Sequence, residues 1–289
     1  MGALLRRLPE RSFRMDIAAA LEYAQRHALE AFVVSRGDER TTQEYSADFG
    51  PERPHALYSG TKSFWGVAAH YARADGLLDL DEPVGDTVLA WREDPWKRRV
   101  TLRMLLDLTA GFGFGGLGSA VPAYDRALGL PLKTEPGSTF TYGGIALQVF
   151  GAVLARKLAP QKRTPQQYLR ERVLEPAAVT VAAWRTLADG TQPLPTGASL
   201  TAPNWLAYGR FILRERAALS ECFGGSQANP RYGLGWWLAP AGVPPDVAYA
   251  GGSGGQGLYL VASLDLAVVH YGKSASYKHE ALLKRLLKD

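Results

Sequence analysis

The chain has 289 residues, 46% hydrophobic and 21% charged; this ordinary globular usage excludes a disordered or fibrous protein and suits one large or two modest domains. Lysine and arginine number 33 against 28 acidic residues, a net charge of +5, but the basic runs at 170–172 and 214–216 are each broken by a glutamate, as on a solvated helix face. No aromatic and basic stripe accompanies them, so no nucleic-acid partner is expected. The single cysteine, Cys222, excludes an intrachain disulfide and a zinc site of cysteines. The most apolar stretch, 141–155, is interrupted by Gly143, Gly144, Gln148 and Gly151 and reads as a buried helix, so no membrane partner is expected either. At the amino terminus only 3–5 is apolar, too short for a signal-peptide core. The expected location is the cytoplasm, or the periplasm or beyond if an export signal has been trimmed.

In chain order, the apolar run 31–36, then Gly37-Asp38, then 41–45 predicts a hairpin. Residues 59–74 carry apolar side chains on almost every face, which predicts a helix buried all round and ended by Asp75-Gly76. Helical patterns follow at 101–108, 144–158, 165–174 and 202–219, with Thr164 and Thr201 placed as N-caps. Strand character returns at 232–238, 247–250, 257–262 and 266–271, before a closing helix at 277–287. With strands at both ends of the chain, the expected architecture is α+β: an antiparallel sheet built from both termini and flanked by helices, with an inserted helical region. The sheet domain is expected over 1–76 and 201–289 and the mostly helical one over 77–200, with the site in a cleft between them.

Three motifs compete. Gly111-x-Gly113-x-x-Gly116 has the spacing of a dinucleotide fingerprint, but a helix precedes it and a loop follows, so it reads as a flexible cleft-edge loop. Gly251-Gly252-Ser253-Gly254-Gly255 formally matches a nucleophile elbow, yet a strand follows it where an elbow needs a helix, and His270 lies inside another strand. The third is Ser59-Gly60-Thr61-Lys62, at the start of the buried helix. Three residues apart, hydroxyl and amine share one helix face. Burial strips water from an ammonium and lowers its pKa, as a lysine needs to act as a general base. Alternatively Lys62 snorkels to the surface at an exposed helix edge.

Around that tetrapeptide the sequence resembles the serine β-lactamase and penicillin-binding protein superfamily, specifically the class C-like serine hydrolases that include esterases and D-amino-acid peptidases. The resemblance runs from about Ala31 to Tyr271 and rests on YSGTKSF around Ser59, TLRMLLDLTAGF from Thr101, EPGSTFTYGG from Glu135, SLTAPNWLAYGRFIL from Ser199, YGLGWWL from Tyr232 and AGGSGGQGLYLV from Ala250. It implies a β-lactamase-like fold, a catalytic tyrosine at Tyr142, and an oxyanion hole made by the backbone N–H groups of Ser59 and Ser253. Two positions depart from the pattern. Gly144 replaces the asparagine of the Tyr-x-Asn motif, and Ala250, ahead of Gly251 and Gly252, replaces the lysine or histidine of the third motif.

The implied activity is hydrolysis of an ester or amide through an acyl-serine, esterase-like in preference because the carboxylate-binding side chain is missing. A β-lactamase or D,D-peptidase-type activity, or a catalytically weak member that binds ligands or partners, are the alternatives. Ser59, Lys62, Tyr142 and Ser253 are the expected catalytic positions, and Gly144, Ala250, Gly251 and Gly252 the expected substrate-binding ones. The expected partner is a small-molecule ester, amide or β-lactam, with no metal or cofactor.

Overall fold

Inward and outward side chains alternate along the strands, and this period of two sorts the apolar residues into two cores on opposite faces of one sheet. The structure, a computed structural model, describes residues 13–288; the amino-terminal stretch read for an export signal lies outside the described residues. The chain begins with β1 (Arg14–Met15) and α1 (Ile17–Gln25), whose first turn is capped by the Asp16 side chain accepting from the Ala19 N–H. The hairpin β2 (Leu29–Arg36) and β3 (Glu39–Tyr45) forms as expected across Gly37-Asp38. The short β4 (His55–Ala56) leads through a 3₁₀ turn, Tyr58–Lys62, into α2 (Ser63–Ala74), which is buried along most of its length.

Helices fill the middle of the chain: α3 (Leu102–Leu106), α4 (Tyr124–Gly129), α5 (Ile145–Leu158) and α6 (Pro165–Leu169), the last widening into a π turn at Arg170–Leu174. Thr101 caps α3, and Thr164 forms a reciprocal capping box with Gln167. β5 (Ala183–Trp184) and β6 (Ala198–Leu200) join β4 in a three-stranded sheet of order β4-β6-β5. Thr201 caps α7 (Ala202–Arg214), which stops short of the expected residue 219; beyond it Arg216 turns back over the Phe223 ring and donates to the Asp246 carbonyl.

The carboxy-terminal part supplies β7 (Trp237–Leu238), β8 (Val247–Gly251), β9 (Gly257–Val261), β10 (Leu266–Gly272), α8 (His279–Leu286) and β11 (Leu287–Lys288). The main sheet is antiparallel with strand order β3-β2-β10-β9-β8-β7, so both ends of the chain build it, as expected. Ala31, Val33, Leu258, Leu260, Ala267 and Val269 face the larger core with α2, α5 and α7. Phe32, Val34, Tyr259, Val261, Leu266 and Val268 face the smaller one under α1 and α8. Among the described residues, no helix is long and apolar enough to cross a membrane.

One expected strand is absent. Residues 232–238 do not run straight; only Trp237–Leu238 pair with β8, because the chain makes a tight turn at Gly235, where φ is +90°. A β-carbon on Gly235 would lie 2.3 Å from the Lys62 carbonyl oxygen, so this turn packs backbone against the chain carrying the Ser-x-x-Lys motif. Gly235→Ala meets both a left-handed backbone and that carbonyl, and the expected loss, read by urea denaturation, is more than about 1 kcal/mol.

Candidate active site

In a 3₁₀ turn, with three residues per turn, side chains at i and i+3 eclipse each other, so this conformation stacks Lys62 directly against Ser59. Lys62 Nζ lies 3.0 Å from Ser59 Oγ and donates to the Pro195 carbonyl at 3.2 Å. The turn is anchored by the Leu57 N–H donating to the Ala198 carbonyl and begins at Tyr58, a non-glycine residue at φ +47°. Such strained conformations persist only where the surroundings enforce them. Lys62 does not snorkel: it is 1% exposed, and burial alone lowers its pKa from 10.5 to about 7.

Tyr142 comes from the segment ahead of α5, and its ring centroid is 4.8 Å from Lys62 Nζ. Burial pushes its phenol above the ordinary tyrosine range, with hydrogen bonding to Ser59 acting the other way. The ring stacks on Trp237 at 5.5 Å, Trp237 stacks on Tyr249 at 6.3 Å, and Tyr249 meets the His279 ring at 5.5 Å, so an aromatic row runs from Tyr142 to His279.

Ser253 follows the end of β8 on a short 3₁₀ turn that returns directly into β9. No helix follows it, and His270 is spent elsewhere: its ring is buried in β10 with Nδ1 donating to the Gly255 carbonyl at 2.6 Å. The elbow geometry is therefore not present. Gly252 permits a close approach instead, since a β-carbon there would lie 2.1 Å from the Leu57 carbonyl oxygen. The end of β8 thereby abuts the turn that carries Ser59.

Ser59, Tyr142, Gly251, Gly252 and Ser253 line a common cleft of about 400 Å³. Gly144 and Ala250 do not line it. Gly144 is buried at the start of α5, where a β-carbon would strike the Gly116 carbonyl at 1.9 Å, and its N–H donates to the Gly115 carbonyl. The glycine-rich loop at 111–116 thus rests on α5 and occupies the space of a side chain at 144. Ala250 is buried in β8 opposite Leu258 and faces the larger core. Four lining residues escaped the sequence reading: Leu117, Trp237, Tyr249 and His279. Tyr249 could have been found from its alternation with Gly251 along β8; the Pro195 carbonyl, a backbone atom, left no signal. A groove of about 460 Å³ beside Thr164, Arg170 and Trp184 is slightly larger, but it holds no buried nucleophile and base pair.

The family model for Beta-lactamase matches residues 16–280. The chain belongs to the beta-lactamase family. Within this family of hydrolases it is similar to EstCE1, described as a hydrolase with promiscuous acyltransferase activity, at 17% identity over 93% of this chain and 98% of that one, with TM-score 0.72. It is similar to a class C beta-lactamase from Rhodobacter sphaeroides at 17% identity over 93% and 96%, TM-score 0.70. A D-stereospecific amidohydrolase from Streptomyces sp. follows at 16% over 94% and 98%, TM-score 0.71. At these identities the likeness shows the beta-lactamase fold. A search of curated proteins finds no match.

The depressed Lys62 pKa has a consequence for stability. Between about pH 7 and 10.5 the unfolded chain holds a proton on Lys62 that the folded protein has released, so the contribution of Lys62 to stability rises with pH across that window and is level below it. Lys62→Met removes this slope. Urea titrations of parent and variant at pH 6, 8 and 9.5 are expected to show the variant's stability advantage shrinking as pH rises.

Proposed function

We propose that the protein is a serine hydrolase that cleaves uncharged esters through an acyl-serine intermediate. The observation that carries this reading is the 3.0 Å contact between Ser59 Oγ and a buried amine that titrates near pH 7. At neutral pH a large share of Lys62 is uncharged and can accept a proton, while Tyr142, pushed the other way, keeps its own. The two groups therefore divide the proton transfers. Lys62 takes the Ser59 proton as Oγ bonds to the substrate carbonyl carbon, and the carbonyl oxygen takes the electron pair. The backbone N–H groups of Ser59 and Ser253 hold that oxyanion, each such donor being worth about 3 to 4 kcal/mol of barrier. The tetrahedral centre then collapses, the bond to the leaving oxygen breaks, and Tyr142 supplies the leaving group's proton while recovering the one held by Lys62. Water hydrolyses the acyl-serine and restores the Ser59 hydroxyl.

Neutral esters are favoured because the side chains lining the cleft carry no fixed charge, and neither position 144 nor position 250 offers a group for a carboxylate. A fluorophosphonate probe read by intact mass and peptide mapping is expected to modify Ser59 once; labelling at Ser253 would overturn the assignment. Ser59→Ala abolishes turnover, Lys62→Met and Tyr142→Phe lower acylation about 100-fold or more, and Ser253→Ala changes the rate far less because only its backbone is used. Removing a charged hydrogen bond costs roughly 1.5 to 3 kcal/mol, so a p-nitrophenyl ester is expected to exceed a chromogenic cephalosporin by about one to two powers of ten in kcat/KM. A clear preference for the cephalosporin would overturn the ester reading.

A further inference from the structure

Gly251, in the third motif, carries no side chain, and the imidazole of His279 occupies the space beside it. A β-carbon on Gly251 would lie 3.0 Å from His279 Nε2 and 3.2 to 3.3 Å from the neighbouring ring carbons. The ring belongs to the first residue of α8, far along the chain from the motif, and lines the cleft beside Gly251, Gly252 and Ser253. Its inner nitrogen, Nδ1, is 2.7 Å from the Tyr259 hydroxyl, which is 2.8 Å from the Tyr277 hydroxyl.

This chain of three groups determines where the proton sits. Among the described residues, the Tyr277 hydroxyl has Tyr259 as its one hydrogen-bond partner. If His279 donated from Nδ1, the Tyr259 proton would go to Tyr277, and the buried Tyr277 proton would have no acceptor. Leaving a buried donor unpaired costs roughly 1 to 3 kcal/mol. In the satisfied arrangement Tyr277 donates to Tyr259, Tyr259 donates to His279 Nδ1, and the imidazole carries its proton on Nε2, the edge beside Gly251 and the cleft. Burial lowers the His279 pKa to about 4, with a backbone hydrogen bond to Gly252 acting the other way, so the ring is uncharged at neutral pH.

We propose that His279 is a specificity residue whose Nε2–H donates a hydrogen bond to a second, uncharged carbonyl oxygen on the acyl part of the substrate. Tyr142 and His279 stand at opposite ends of the aromatic row formed with Trp237 and Tyr249. With Tyr142 serving the leaving group, the imidazole at the far end meets the acyl chain. A neutral N–H donor in a cleft lined by aromatic rings suits a ketone or amide oxygen, which brings no charge to desolvate. The substrate class is therefore an uncharged oxoacyl or acylamino ester. This inference rests on the hydrolase reading given above.

The test compares p-nitrophenyl 4-oxopentanoate with p-nitrophenyl pentanoate, which differ by one carbonyl on chains of equal length, each corrected for uncatalysed hydrolysis. The parent protein is expected to favour the oxo ester about three- to tenfold in kcat/KM, the range of one net hydrogen bond. His279→Phe retains an aromatic ring but no donor, and the ratio is expected to fall to about one. His279→Gln, which places an N–H near the Nε2 position, is expected to restore part of the preference, an outcome that a purely structural role would not give. A parent ratio near one, or a ratio unchanged in His279→Phe while both rates fall together, overturns the proposal and leaves the hydrolase reading standing. A parent that turns over neither ester and is not labelled at Ser59 overturns both.

Discussion

The removal of water from one amine is the constraint to which the surrounding architecture answers. A fall in the Lys62 pKa from 10.5 to about 7 corresponds to roughly 5 kcal/mol, comparable with the whole net stability of many domains. No carboxylate offsets this; burial is the sole cause of the shift, and the polar partners of Nζ are the Ser59 hydroxyl and the Pro195 carbonyl. The compensation lies in the larger core, where fully buried Phe64, Trp65, Trp205, Tyr208 and Trp236 surround the same stretch of chain. An amine held this way is partly uncharged at neutral pH through burial alone.

The same packing couples the amine to the wall of the cleft. Gly235 touches the Lys62 carbonyl through its backbone, and two residues later Trp237 stacks on Tyr142. Tyr232, at the other side of that turn, meets Trp237 edge-on at 5.0 Å. The turn thus fixes base, phenol and aromatic row relative to one another, and Gly252 against the Leu57 carbonyl brings in Ser253 from the opposite side. Backbone contact at two small residues sets these separations more rigidly than side chains could, because the contact has no rotamers.

What could be read in the sequence divides along the range of the interactions. The hairpin, the buried helix after Ser59, the caps at Thr164 and Thr201 and the strands β8 to β10 announce themselves through local period and capping chemistry. The strand expected over 232–238 failed because its apolar letters alternate well, while the decisive fact is the approach of Gly235 to a carbonyl more than 170 positions earlier. β4, β5 and β6 are two or three residues each, too short to carry a period. At the site, Ser59 and Lys62 were legible as a local pair, and Tyr142, Gly251, Gly252 and Ser253 through the family pattern. Gly144 and Ala250 occupy their pattern positions without lining the cleft, and His279 arrives only through the return of α8 to β8.

Gly144, which departs from the family pattern, and Gly251, in the third motif, bear on whether the site has decayed. A motif eroding by drift loses side chains and leaves their volume empty, and empty volume lets a nucleophile and its base drift apart. Neither consequence is found at these positions. The space of a side chain at 144 is taken by the Gly116 carbonyl, which packs against the first turn of α5, and the space at 251 is taken by an imidazole whose Nδ1 is held by Tyr259. Ser59 and Lys62 meanwhile remain at hydrogen-bond distance inside a strained, anchored turn, a conformation that relaxes when the surroundings stop enforcing it. The space beside Gly144 and Gly251 is therefore filled by other groups, which under the proposed hydrolase reading favours a site reshaped for a different acyl group over one that has lost its chemistry.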